Sequence, residues 1–542
     1  MSDSDGYNLF DELWLPARDL NGKVQELSLT DVLRRADSLA GLLGDVPTQV
    51  FALNRLLLAV LHRALGERLN IALWKDMWRD RAFPEDDLER YVTAHRNRFD
   101  LFHPVVPFMQ VADLRTAKGD VPELSKFIAD VPNGNLFFSA RMDKDLTLSY
   151  AEAARWLVHC HAFDPSGIKS GAIGDPRMKN GKGYPIGTGW SGYLGGVLPH
   201  GTTLLETLLL NLIPGSNLAD LPAWERDQAG PRCDDREPTG PVDLFTWQSR
   251  RIRLARSQGR VAGALICNGD RLTPQNRFGA ESHTAWRRSL NQERLRKSST
   301  PVYMPLVHDP ERAVWRGLQA LLPMSSSSPS ADAASRLAPA VLEWISKLTN
   351  DRVIPKNFPL HVRTIGMTYG NQSSTTADIV DDAMTLQAVL LAQDADHLKQ
   401  AAVACAAAAE NAAAALGKLA ANLAEASGLR DPKPQPGSPL DGHRSRAIES
   451  AYAALDPLFR SWLASLGPDT AAVSSQIDWH TTGHAVVGAL GAKLISDSSP
   501  QAWTGRVVNK KWMTSSHADI WFRRDLNAVF PLADRDPVKD SA

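Results

Sequence analysis

The sequence predicts an α+β protein: a large mixed N-terminal domain over residues 1–360, then a C-terminal helical, four-helix-like bundle over 361–542. Three observations predict it. The first hundred residues mix a strand-like opening with helical periodicity. The middle is rich in glycine, proline and short apolar runs. Past Thr375, three runs in succession place apolar residues at helical spacing. A chain of 542 residues with 43% hydrophobic side chains has the material for two such cores.

In order along the chain, FDELWLPARD reads as a short strand and turn. DVLRRADSLAGLL and FALNRLLLAVLHRAL then read as helices. From about Asn133 to Ser328, turn signals outnumber long periodic runs, which predicts loops displayed on a scaffold. SSSSPSADAAS, from Ser325 to Ser335, has the composition of a linker or flexible internal loop. ADIVDDAMTLQAVLLAQ is expected to open the bundle as a helix capped near Thr375 or Thr376. The alanine-rich run from about Asp396 to Ser427 supplies its second helix. DPKPQPGSP marks the loop before a third, HRSRAIESAYAALDPLFRSWLASL. No internal repeat of fixed period is evident.

Sixty basic against sixty-one acidic residues give a net charge of −1, which excludes a protein that coats nucleic acid through bulk positive charge; any such contact is local or shared with a partner. Cys160, Cys233, Cys267 and Cys405 form no CxxC pair, so neither a zinc knuckle nor a disulfide framework is expected, and a reducing cytoplasm fits. The opening MSDSDGYNLF lacks the basic start and apolar run of a signal peptide. The most apolar stretch, Leu204 to Pro214, is too short for a bilayer and carries Glu206 and Asn211, so no membrane partner is expected.

Three further stretches stand out. NLFDELWLP (Asn8 to Pro16) is followed by RFDLFHPVVPFMQV (Arg98 to Val111). HAFDPSGIKSGAIGD (His161 to Asp175) runs on to GYPIGTGWSGYLGGVLPHGTTLLETLLLNLIP (Gly183 to Pro214). The third is TIGMTYGNQSSTTADIVDD (Thr364 to Asp382). In this order they resemble the CasA family, the large subunits of the type I-E CRISPR surveillance complex Cascade. The resemblance implies a non-catalytic subunit without cofactor. It would join a guide RNA near its 5′ end and other Cascade subunits. It would also recognise the protospacer-adjacent motif (PAM) in target double-stranded DNA, start the R-loop, and help recruit a helicase-nuclease in trans.

The resemblance also implies site residues. Gly370, Asn371, Gln372 and Ser373 match the loop that presents a glutamine wedge beside the PAM, where a flat polar side chain must approach a base step closely. The same cluster also reads as an ordinary exposed turn. Gly167, Ile168, Lys169, Ser170 and Gly171 match a glycine loop whose backbone lies against the minor groove, with Lys169 near a phosphate. Glycine lets backbone atoms come close, although a surface turn with a solvated lysine reads the same. A basic minor-groove finger would fall in CNGDRLTPQNR (Cys267 to Arg277). It holds no lysine, so Asn268, Arg271, Gln275 and Asn276 are the candidates. Some relatives hold cysteine pairs here that look zinc-binding; with Cys267 alone, no zinc is expected. PNGNLFFSA matches a guide-docking loop, with Asn135, Phe137 and Phe138 as docking residues, the phenylalanines being equally compatible with strand core. Basic sets at Arg250, Arg251, Arg253 and Arg256, at Arg287 and Arg288, at Lys510 and Lys511, and at Arg523 and Arg524 suit phosphate contacts or solvated faces.

Two rival readings remain. A metal-dependent nuclease is suggested by DWHTTGH, where His480 and His484 are four residues apart beside Asp478. Against it, HExxH is missing and Gly483 disfavours a rigid helical pair. A nucleophile elbow at Ser191 fails because Tyr193 stands where glycine is needed, and no GK is followed by Ser or Thr as a P-loop requires. A purely structural scaffold would share every core feature. It would differ only in leaving PAM-dependent binding unaltered when removed.

Overall fold

The computed structural model describes residues 6–129, 131, 146–215, 217–323, 335–431, 435–508 and 511–533. They form two compact units. One is drawn from Met1–Arg312, Pro329–Ile345 and Leu360–Ala383, the other from Ala313–Ser328, Ser346–Pro359 and Met384–Ala542. The cut expected at residue 360 therefore falls at the base of a β-hairpin that stays largely with the first unit. The expected linker at Ser325–Ser335 lies almost wholly outside the described residues.

The first unit opens on β1 (Leu15–Asp19), flanked antiparallel by β2 (Val24–Leu27) and β3 (Leu39–Leu42). The helix expected over DVLRRADSLAGLL stops at Arg34, and Leu39 and Leu42 enter β3 instead. Edge pairing with β1 outweighs a helical run too short to hold itself together. Helix α1 (Pro47–Leu65) is buried on nearly all sides and forms the spine of the unit. Its Arg55 lies in the core, where its guanidinium donates to both oxygens of buried Glu281 at 2.7 and 2.8 Å. The Trp190 indole donates to the same carboxylate at 2.6 Å. A buried charge needs such compensation.

Helix α2 (Tyr150–Phe163) begins at a capping box in which the Ser149 hydroxyl accepts from the Glu152 amide and Glu152 reaches back to the Ser149 amide. Beyond it a four-stranded sheet runs in the order β5 (Lys182–Gly183), β4 (Lys169–Ser170), β8 (Arg260–Asn268), β7 (Arg250–Ser257). A second sheet contains β6 (Gly196–His200), β9 (Pro359–Tyr369) and β10 (Thr376–Gln387), with β9 central. The helix expected over residues 377–393 is thus a strand. Val380, Met384 and Leu386 are its buried side chains, all on one face at period 2, whereas on a helix Leu386 would stand roughly 120° or more from the other two. The ladder to β9 decides for the strand.

In the second unit α3 (Asp396–Ser427) packs against α4 (Pro439–Ser465), α5 (Ala472–Ser496) and α6 (Ser515–Val529). The alanines of α3 let its neighbours approach closely, and Gly428, at φ 117°, ends it in the left-handed conformation. Trp479 fixes α5 to α3 by donating its indole N–H to the Cys405 carbonyl at 3.1 Å. A small antiparallel pair, β11 (Arg506–Val508) and β12 (Lys511–Met513), precedes α6.

Candidate nucleic-acid interface

The glycine-bearing stretch begins where α2 ends. Asp164, 4% exposed, caps the helix, and its carboxylate meets two cations: the Lys169 ammonium at 2.6 Å and the buried Arg250 guanidinium. Burial alone would raise the Asp164 carboxyl, but the two cations beside it hold it below the usual carboxylate range. Lys169 is shifted down, first by burial and then by the Arg250 charge beside it, against the pull of Asp164. The Arg250 guanidinium also donates to the carbonyls of Ser249 (2.8 Å), Pro165 (3.1 Å) and Gly187 (2.8 Å). The loop is therefore held from within.

This corrects the reading of Lys169 as a phosphate contact: its ammonium points inward. Gly171 is also turned inward. Its amide donates to the Gly181 carbonyl at 3.0 Å, and a Cβ there would lie 2.7 Å from the Gly181 carbonyl carbon, so glycine serves the packing of this turn. What the loop offers outward is the backbone of Gly167, the exposed side chain of Ile168, and half-buried Ser170.

The hairpin joining β9 to β10 turns tightly over Gly370–Thr375. The Gly370 amide donates to the Thr375 carbonyl at 2.9 Å and the Ser373 amide to the Gly370 carbonyl at 2.9 Å. A Cβ on Gly370 would lie 2.7 Å from the Thr375 hydroxyl, so a larger residue here would have to turn that hydroxyl aside. Gln372 (φ 54°, ψ 23°) and Ser373 (φ 53°) are both left-handed, at a cost of about 1 kcal/mol or more each for residues with a Cβ. Asn371 and Gln372 are exposed at the tip. At the base, the hydroxyl of half-buried Tyr369 donates to the Phe163 carbonyl at 2.7 Å, which ties the hairpin to the end of α2.

The two loops meet. A Cβ built on Gly167 would stand 3.9 Å from the Ser374 carbonyl oxygen. Two segments 200 residues apart in sequence thus form one edge carrying the Gly167–Ile168 backbone and the Asn371–Gln372 tip. The Cys267–Arg277 stretch joins through β4, whose Ser170 pairs in parallel with Cys267.

Within that stretch Asn268 does not project. It is buried, with its amide donating to the Tyr184 carbonyl at 2.7 Å. Asn276 holds the Tyr303 amide at 2.7 Å, and Gln275 faces Gln292. Arg271 is exposed and makes no ion pair among the described residues, which leaves it the one free cation of that group of candidates. Two arginines of β7 correct the phosphate reading in the same way: Arg250 is spent on Asp164, and Arg251 on Asp270 (2.5 Å) and the Arg232 carbonyl, while Arg256 stacks over Phe102 and Arg253 is exposed, donating to the Leu114 carbonyl at 3.2 Å. Arg288 pairs with Glu293, Arg523 with Asp519 and Arg524 with Asp525. Asn135, Phe137, Phe138 and Lys510 lie outside the described residues, as does the side chain of Lys511.

His480 and His484 share α5, which continues unbroken past Gly483; that glycine makes room for the Phe530 ring, 2.6 Å from where a Cβ would stand. His480 Nδ1 accepts from the Leu532 amide, and His484 pairs with Asn527 at 2.8 Å. Among the described residues no group of three or more His, Cys, Asp or Glu is placed to hold a metal ion, and no helix is long and apolar enough to cross a membrane. Sequence reasoning missed the Asp164–Arg250–Lys169 lock, for which no local signal exists. It also passed over the Lys179–Lys182 turn, which its Asn-Gly dipeptide announces.

The family model of CRISPR-associated protein Cse1 matches residues 8–490. The curated CasA/Cse1 of Thermus thermophilus is 36% identical over 264 residues, 47% of this chain and 50% of that protein, so the chain aligns with about half the length of this curated relative. Against solved structures the match is nearly complete. The crystal structure of Thermobifida fusca Cse1 is 41% identical with a TM-score of 0.89, covering 98% of this chain and 99% of that one. Cse1 from Acidimicrobium ferrooxidans is 31% identical with a TM-score of 0.82, covering 98% and 100%. With nearly the whole chain matched by sequence and by fold, the protein belongs to the Cse1 (CasA) family of CRISPR-associated proteins.

Proposed function

We propose that this chain is the non-catalytic large subunit of a type I-E Cascade complex: it recognises the PAM in double-stranded DNA, opens the first base step, and helps recruit the helicase-nuclease. The single observation that carries this is the meeting of the glycine loop and the hairpin tip, Gly167 against Ser374. A backbone edge without side chains can lie along a minor groove, whose base edges separate A·T from G·C and little else, so the reader tolerates several PAMs. On the same hairpin, anchored through Tyr369, the exposed residue Gln372 is held in a backbone conformation that costs energy. Unstacking a step costs a few kcal/mol, returned by new contacts and then by guide pairing, so the inserting group must arrive already positioned.

The partners on this reading are target duplex DNA, the guide RNA near its 5′ end, the other Cascade subunits and the helicase-nuclease. The contact to the guide falls to Asn135, Phe137 and Phe138. Arg271 is the remaining cation for the finger role, and Lys169 serves the loop from inside.

The test assembles the complex with Asn371→Ala and Gln372→Ala together and follows R-loop formation by stopped flow. Formation is expected to slow on paired target and to be normal on a target already mismatched beside the PAM. An equal defect on both would remove the wedge role and leave a scaffold.

A further inference from the structure

The glycine loop has a neighbour that carries charge. Residues 179–182 form a two-residue hairpin: Lys179 and Lys182 exchange both backbone hydrogen bonds at 3.0 Å across Asn180 (φ 53°) and Gly181 (φ 72°), the left-handed pair of a type I′ turn. The two lysines are directly opposed, so their side chains leave the same face with Cα atoms about 5.5 Å apart. Both are exposed, and neither makes an ion pair among the described residues. Like charges placed directly across a strand pair destabilise it, and no acidic side chain among the described residues pairs with them. Arg177, the nearest cation in sequence, is already paired with Asp235 at 2.9 Å.

The register then fixes which way these lysines point. Ser170 pairs with Lys182 and Lys169 with Gly183. Cross-strand partners share a face, and successive residues alternate. Lys169 points inward to Asp164, so Lys182 and Ser170 point to the opposite face, where Lys182 at the sheet edge is exposed and Ser170, beside buried Cys267, is half-buried. Two unpaired ammonium groups therefore stand beside the Gly167–Ser170 backbone, on a turn whose conformation is set by Asn-Gly and needs no ligand to form.

We infer that Lys179 and Lys182 are a phosphate clamp for duplex DNA, gripping the backbone alongside the glycine loop without reading sequence. This rests on the reading of that loop as the DNA-facing edge. Lysine suits the task, as a flexible point charge on a rigid turn follows a phosphate through small changes in groove width. The clamp would supply affinity common to all duplexes, against which the loop and hairpin tip discriminate.

The test uses the assembled complex with Lys179→Gln and Lys182→Gln, its guide content checked, on duplexes with and without a PAM. Each phosphate contact contributes about 0.9 to the slope of log affinity against log salt, so the double variant is expected to flatten that slope by about 1.8 on both duplexes. Between 50 and 200 mM salt this makes the wild type lose about tenfold more affinity than the variant. The Lys179→Arg, Lys182→Arg form is expected to keep the slope. An unchanged slope overturns the clamp, as does a loss confined to PAM-bearing duplex or a loss of guide RNA from the complex. Gly167→Trp, run in parallel, separates the two readings. If it weakens both duplexes equally while the lysine variant behaves as expected, the loop loses its PAM role and the clamp stands.

Discussion

Replacing Lys169 with methionine separates a lysine that faces DNA from one that faces the protein. If the ammonium contacted a phosphate, Lys169→Met would flatten the salt slope by about 0.9 on any duplex. In the structure the ammonium is 2.6 Å from Asp164, its side chain is 12% exposed, and Asp164 retains Arg250 when the lysine is lost. The variant removes a charge whose burial is unfavourable and keeps the stem packed, so its stability is expected within about 1 kcal/mol of wild type, with the salt slope unchanged. Asp164→Asn is the contrasting change, because it leaves two cations facing each other around a neutral amide. Breaking a buried pair this way costs about 3–5 kcal/mol. The folded-state pKa of Asp164 lies below its ordinary value, so the stability it contributes is full above the usual carboxylate range and lost as pH falls through the depressed value. The gap between wild type and Asp164→Asn should therefore close below about pH 4. Amide hydrogen exchange at Gly189, whose N–H donates to the Asp164 carbonyl at 2.9 Å, reads the local cost in each unit's own terms. A slope reduced by one contact in Lys169→Met, or Asp164→Asn as stable as Lys169→Met at neutral pH, would refute the inward lock.

Two further expectations follow from the packing. Tyr369→Phe strips the hydroxyl that donates to the Phe163 carbonyl and is expected to cost about 1–3 kcal/mol, seen as faster exchange in the β9–β10 hairpin. Burial pushes the Tyr369 phenol well above its ordinary value, so this cost should be constant from pH 6 to 9; a cost that changes across that range would mean the hydroxyl is not buried as described. Gly491→Ala pits helix propensity, about 1 kcal/mol in favour of alanine, against the buried Phe522 ring occupying the place of the new Cβ. Overpacking of about 1–3 kcal/mol should win, lowering the melting temperature of the helical unit, and Phe522→Leu in the same chain should recover part of the loss.

How much of this was legible in the sequence depends on the distance over which each feature is decided. Helix α3 was read to the residue, because alanine propensity and the glycine at its end act within a turn or two. The Asn-Gly turn and the Gly370 turn are likewise local. Strand β10 was misread because the apolar run continues into the short helical turn Ala388–Leu391, which masks the period-2 spacing of Val380, Met384 and Leu386. The inward course of Lys169 was out of reach altogether: its carboxylate is five residues away, but the arginine that completes the lock is 86 residues from that carboxylate.

The same distinction bears on what kind of residue marks this site. A basic cluster in sequence, such as Arg250, Arg251 and Arg253, suggested a phosphate surface, yet burial consumed the first two in holding loops. Lys179, Lys182 and Arg271, which are exposed and make no ion pair among the described residues, are scattered and gave no cluster. A buried arginine, with its five donors, is suited to gathering several carbonyls at once, as Arg250 does with Ser249, Pro165 and Gly187. Charge density along the chain therefore measures how strongly a loop is fixed as readily as it measures where an anion lands. For this near-neutral chain, exposed and unpaired cations such as Lys179 and Lys182 are a better basis for a proposed phosphate contact than a run of basic residues in sequence.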